Sequence, residues 1–276
     1  MAPPIGPPPR PRRRRWLGWA VAAWVVALVA IGFWAVRHDP PTVPEQRNIA
    51  QALPVLQRAT GALVAAAQGP ARAVAIGDVR LAAGCRITPV RSGVEATRDV
   101  TLYVPADQAA PALRAVAARL PTVYRPDVAT KGARVALHAD AGSYIGIDAD
   151  SLIDAQVVTL EVSSGCRPPA ATGTTSAEPR AGDPPAALTA VLRALNGTGR
   201  PTVAAVTCPG GATAATYTVD GVPAPPDLGR SLESVTDGAT VVRADPAGWA
   251  YRTGVTSVVV TASPDRLRVS ATGACP

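Results

Sequence analysis

Apolar positions along this chain fall into three regimes. From Trp16 to Val36 they run on through 21 residues without one charge. From about residue 46 they recur at helical or strand spacing. At 37–45 and 167–186 they lose any period, and Pro, Ala, Thr and Gly dominate.

The unbroken run is a transmembrane helix by length. As an α-helix it spans about 31 Å, against roughly 30 Å of bilayer hydrocarbon. Trp16, Trp19 and Trp34 lie near its ends, where indole prefers the interface. Arg10, Arg12, Arg13, Arg14 and Arg15 precede it, whereas Arg37 follows with Asp39 close by. The positive-inside rule puts the N-terminus in the cytoplasm and the rest of the chain outside the cell membrane. A cleaved signal peptide would have a shorter apolar region, about 7–15 residues, and a small-x-small cleavage site. "GFWAVRHD" is a poor one, so the expectation is an uncleaved anchor. The preceding "MAPPIGPPPRPRRRR" (1–15) reads as a disordered tail.

The periodic region reads as two similar halves. In the first, Ile49, Leu53, Leu56, Leu63 and Val64 share a helix face, with Pro54 marking a break or start. In the second, Leu188, Val191, Leu192 and Leu195 do so. A strand carrying a cysteine follows each helix, "AVAIGDVRLAAGC" and "TVAAVTC". An alternating strand comes next, "DVTLYV" and the weaker "AATYTVDGV". A second helix follows, with Leu113, Val116 and Leu120 on one face and Leu228, Leu232 and Val235 on its counterpart. A strand then leads into "HADAGSYIG" or "RADPAGWAY". A last alternating strand ends in glycine and cysteine, "EVSSGC" and "RVSATGAC".

The fold class expected is therefore α+β. One N-terminal transmembrane helix (16–36) and a linker (37–45) lead to two tandem α-β-β-α-β-β domains, 46–166 and 187–276. In each, an antiparallel sheet packs against helices. An exposed linker (167–186) joins them. Four cysteines allow three pairings. With one staple per half they pair as Cys85–Cys166 and Cys208–Cys275, in the oxidising compartment outside the membrane.

Charge removes one class of function. The net +7 falls to +2 without the five arginines before the span, since 22 basic residues then face 20 acidic ones. No basic stripe suited to nucleic acid remains. Lys131 is the only lysine, an arginine bias that a GC-rich bacterial genome explains.

Catalytic motifs are missing from the sequence. It has no G-x-S-x-G, S-x-x-K, H-E-x-x-H or G-x-x-x-x-G-K. His38 falls in the linker, and His138 should face solvent beside Arg134. Asp148, Asp150 and Asp154 lack the remaining ligands of an EF-hand loop and read as a solvated hairpin loop. Glu161, Asp140 and Asp245 are carboxylates for a hydrolase to use, but Asp140 and Asp245, read as equivalent sites, look like turn residues. Asn196 in "NGT" reads as a helix terminator rather than a glycosylation site. No catalytic residue, metal or cofactor is assigned. Tyr144 and Trp249, read as occupying corresponding hairpin positions, and the nearby Tyr251 are the candidate partner contacts.

The expected function is non-enzymatic: an envelope scaffold or interaction module whose duplicated outer domains contact a protein or the cell wall. The alternatives are a small-ligand-binding protein with a cleft between the halves, and a carboxylate-based hydrolase.

Overall fold

The computed structural model describes residues 13–38, 47–170, 178–263 and 265–275. The expected tail before residue 13, most of the first linker and residues 171–177 of the second lie outside them. The chain divides at Thr42 into two units.

The first unit contains α1 (Arg13–His38). It starts earlier and ends later than the apolar run, and takes in His38, which the sequence places in the linker. From Trp16 to Trp34 it is long and apolar enough to cross a membrane. Its described side chains are exposed on all sides but for Ala20, so it is not an amphipathic core helix.

The second unit, Val43–Pro276, is one compact body. Its first half contains α2 (Ile49–Ala67), β1 (Ala73–Ile76), β2 (Arg80–Thr88), β3 (Arg91–Tyr103), α3 (Ala109–Arg119), β4 (Asp127–Lys131), β5 (Arg134–Asp140), β6 (Gly146–Leu152) and β7 (Val157–Arg167). Its second half contains α4 (Ala186–Ala194), β8 (Thr202–Thr207), β9 (Thr213–Pro223), α5 (Leu228–Thr236), β10 (Thr240–Asp245), β11 (Gly248–Thr253), β12 (Thr256–Ala262) and β13 (Arg266–Thr272). All pairings are antiparallel.

The sheets run β1-β3-β7-β6-β5-β4, with β2 also on β3, and β10-β11-β12-β13-β9-β8. Each second helix is thus followed by four strands, where the sequence pattern suggests two. The extra strands hide for physical reasons. β4 is an exposed edge. β6 alternates buried Ile147 and Ala149 with exposed Asp148 and Asp150, so its apolar face is slight and its acids resemble a loop. The single strand expected over "AVAIGDVRLAAGC" breaks at 77–79, and β1 and β2 take successive stretches of β3.

Pro54 lies inside α2 rather than at a break. It gives up one backbone hydrogen bond early in the helix, where a capping box between Asn48 and Gln51 anchors the start. Leu56, Leu63 and Val64 of α2 and Leu113 and Val116 of α3 cover Val100, Leu102, Leu137, Ile147 and Leu160 of the first sheet.

The middle of the second sheet, around β12, is buried on both faces. Val258, Val260, Val269 and Tyr217 pack under α4 and α5. On the reverse face Val259 and Ala250 meet Ala73 and Tyr103 of the first half. Two-sided burial explains the continuous "SVVV" of β12, since neither face needs a polar position.

The halves therefore share cores instead of hanging on an exposed linker. The free edge of β1 abuts the second sheet, and Ile76 N–H donates to Thr216 Oγ1 at 2.8 Å. This covers an edge that would otherwise be open to foreign strands. On the other side Ala204, Val206 and Ala214 join the core around α2. A side-chain carbon at Gly61 would overlap the Thr207 carbonyl oxygen, so only glycine lets α2 and β8 approach so closely.

The joining segment is tied down as well. Glu178 pairs with buried Arg98, and Gly182 O accepts from Tyr217 Oη at 2.6 Å. Both disulfides, Cys85–Cys166 and Cys208–Cys275, are formed. The second lies at the seam, where Cys208 and Cys275 join the core around α2 and Cys275 N–H donates to Gln68 Oε1.

Candidate functional site

The packing of β1 against the second sheet leaves a cleft of about 570 Å³ beside it. One wall is the end of β1 with Asp78, and the solvent face of β3 with Asp99, Thr101 and Tyr103. The other wall is the face of the second sheet turned away from its helices. Strand period two delivers it. On β9, Ala215, Tyr217 and Val219 point to the helices, so Thr216, Thr218 and Asp220 line the cleft. Thr202, Thr261 and Ser270 extend this hydroxyl surface.

Two arginine–aspartate pairs border it. Arg80 holds Asp99 with two hydrogen bonds, 2.7 and 3.0 Å. Arg268 Nε donates to Asp220 at 2.6 Å. Each hydrogen bond keeps its arginine above the ordinary guanidinium range. Burial pushes the Tyr103 hydroxyl up, opposed by a hydrogen bond with Thr261. Apart from Asp78, the cleft therefore offers neutral hydroxyls between paired charges. Such a lining suits a ligand with many hydroxyl groups.

Beyond the cleft mouth, an acidic row crosses the solvent face of the first sheet. Asp99 lies opposite Glu161, Glu161 opposite Asp148, and Asp148 opposite His138. Arg80 reaches Glu161 at 3.7 Å, and His138 Nδ1 is 2.7 Å from Asp148. Burial, and then the Asp99 charge, raise Glu161 above the usual carboxylate range, with Arg80 opposing. His138 faces outward beside Arg134, as the alternation predicts. Asp148 and Asp150 are strand residues instead of loop residues, and Asp150 pairs with Arg134 at 2.8 Å.

The candidate contact residues separate. Tyr144 is exposed, in the β5–β6 turn. It and Ser143 adopt positive φ, and both of their carbonyls accept from buried Arg167. Tyr251 is a correction: only 1% of it is exposed. Its hydroxyl is pushed up to about 12 by burial. It packs under α4 and α5, and no surface partner can reach it. Trp249 is half-buried, with its ring against Gly229 of α5. Nor is Trp249 the counterpart of Tyr144, because it lies within β11 whereas Tyr144 follows β5. The counterpart of β5 in the sheet order is β11, so Asp140, ending β5, and Asp245, ending β10, are not equivalent either. Both act as turn residues, accepting from Gly142 N–H and Ala247 N–H.

Residue types alone did not single out Arg80, Asp99, Asp220 or Arg268. The one legible signal was "TYTVD" on β9, a threonine–threonine–aspartate face alternating with apolar residues. Comparison with protein families, with characterised proteins and with solved structures finds no match to this chain.

Proposed function

We propose that this is a membrane-anchored envelope binding protein whose outer body takes a saccharide or similar polyhydroxylated ligand in the cleft between its sheets. The observation that carries the reading is the cleft lining. Thr101, Thr202, Thr216, Thr218, Thr261 and Ser270 converge there between the Arg80–Asp99 and Arg268–Asp220 pairs. In this reading α1 anchors the protein, its N-terminus lies in the cytoplasm, and the disulfide-stapled body lies outside. The partner is then the cell wall's glycan rather than a protein. The matching succession of strands in the two sheets supports an origin by duplication, with the cleft formed where the copies meet.

The test is titration of the full-length protein in detergent with neutral wall-type oligosaccharides, followed by calorimetry. Saturable binding that weakens at least tenfold in Thr218→Val and Asp220→Asn supports the reading. Absence of binding across the saccharide panel, or equal binding by the variants, overturns it.

A second reading, hydrolysis of such a ligand, rests on Glu161. Burial raises its pKa and Asp99 lies opposite it; carboxylate-based glycoside cleavage uses a raised carboxylic acid with a second carboxyl group nearby. Reducing-end release from the same oligosaccharides, abolished in Glu161→Gln, would favour it over binding alone.

A further inference from the structure

A second recess lies apart from the cleft and shares no lining residue with it. It measures about 550 Å³ and is lined by Gln68, Gly69, Pro70, Arg119, Gly238, Thr240, Arg252 and Gly254. It has two guanidinium groups and no carboxylate. Arg72 stands beside it, near enough for Arg119 and Arg252 to depress its pKa electrostatically, in addition to the larger effect of burial.

Three cations meeting without an acid need an explanation. Part of it is structural. α2 ends at Ala67, and the Gln68 carbonyl just beyond it accepts from Arg72 Nη2 at 2.9 Å and from Arg119 Nη1. A helix C-terminus attracts positive charge. The Gln68 carbonyl and the Ala112 carbonyl, which accepts from Arg72 Nη1 at 3.5 Å, cannot occupy two guanidinium groups, which carry about five N–H donors each. Arg252 takes no part in this cap. Its Nη1 is buried and has no hydrogen-bond partner among the described residues. A buried unpartnered donor on a cation is costly to maintain, and an anion at the part of Arg252 that lines the recess offsets the buried charge.

We propose that Arg72, Arg119 and Arg252 form a binding site for a phosphate group. Guanidinium forks match phosphate oxygens, and three cations suit an anion of more than one charge. An adjoining recess of about 530 Å³, lined by Arg72, Pro70, Val104, Pro105, Pro111 and Ala115 among others, is largely apolar. It offers a place for a carbon chain attached to that phosphate. The phosphate can therefore come from a lipid headgroup or from the free ion, and the apolar recess favours the headgroup.

The experiment uses the full-length protein in uncharged detergent at constant ionic strength, with chloride as the reference salt. Calorimetry and thermal unfolding follow titration with inorganic phosphate and, separately, with dihexanoylphosphatidylglycerol. The expected result is saturable binding of at least one probe, weakened tenfold or more in Arg252→Gln and in Arg119→Gln. Tighter binding of the lipid names a headgroup; tighter binding of inorganic phosphate names the free ion. Either supports the site. Without ligand, Arg252→Met should unfold at the same or a higher temperature than the unaltered protein. Lack of binding by both probes, or undiminished binding by Arg252→Gln, overturns the proposal. So does a lowered unfolding temperature of ligand-free Arg252→Met, because Arg252 would then be a structural residue.

Discussion

Arg98 of β3 has no solvent exposure and meets Glu178, from the segment joining the halves, at 3.1 Å. The pair is the centre of a clamp. Arg98 also donates to the carbonyls of Gly77 and Ala205 and to Gln57 Oε1, while Glu178 accepts from Ala205 N–H at 2.8 Å. Five stretches of chain, at Gln57, Gly77, Arg98, Glu178 and Ala205, are joined by one guanidinium and one carboxylate. Burial lowers the Arg98 pKa, with Glu178 opposing. Glu178→Ala leaves that charge buried without its ion-pair partner, with only the more weakly acting Asp78 to offset it. It should cost about 2–4 kcal/mol. Thermal unfolding should show it, and Arg98→Met with Glu178→Leu should recover part of the loss. A change within about 0.5 kcal/mol, the range of neutral surface substitutions, would mean the clamp contributes nothing.

Gly61 offers a test of opposite expectations. In an isolated helix, Gly→Ala stabilises by about 1 kcal/mol. Here the added carbon overlaps the Thr207 carbonyl oxygen. Gly61→Ala should therefore lower the unfolding temperature and loosen β8, read as faster amide exchange at 202–207. A raised unfolding temperature would show that the seam between α2 and β8 can open without loss.

The disulfides should differ in weight. They close loops of 81 and 67 residues, so chain entropy ranks them alike at up to about 4 kcal/mol each. Only Cys208–Cys275 also packs in the core around α2. Paired serine substitutions there should destabilise more than those at Cys85 and Cys166, measured by denaturant unfolding.

Two carboxylates should act on stability in opposite directions with pH. Glu161 is raised in the folded state, so the fold binds its proton more tightly than the unfolded chain does. That contribution is present at acid pH and is lost as pH rises through the folded pKa. Asp245 is lowered, first by its hydrogen bond from Arg243. Its contribution is present above the unfolded pKa and is lost as pH falls through the folded pKa. At neutral pH Glu161→Gln should raise the unfolding temperature and Asp245→Asn should lower it. Below the carboxylate range, the Asp245→Asn deficit should vanish. Unfolding scans across acid and neutral pH check both signs.

Tyr144 and Trp249 can be separated by stability. Trp249→Ala removes a half-buried ring from α5 and should cost about 2 kcal/mol, less than the full value for a buried aromatic. Tyr144→Ala removes an exposed ring and should change unfolding by less than about 0.5 kcal/mol. The comparison is a pair of thermal scans, and a large loss in Tyr144→Ala would show that its stacking near Arg167 supports the turn.

Much of the local structure was legible because it follows from neighbours in sequence. Helical spacing marked α2 to α5, alternation marked β3, β5 and β7, and the endings at Cys166 and Cys275 pointed to the two staples that form. An unbroken apolar stretch with flanking arginines marked the position of α1, which runs past it at both ends. What escaped depended on partners far along the chain. β6 was hidden because its outward aspartates interrupt an alternation carried only by Ile147 and Ala149, and β4 because Val128 alone turns to the core. Tyr251 resembled a surface aromatic until α4 and α5 covered it. The cleft needed β1 to dock against the reverse face of the second sheet, and the arginine recess needed α2, α3 and β11 to meet. Periodicity reports which face of an element is apolar. It does not report which other element covers that face, and here the choice of cover created both recesses.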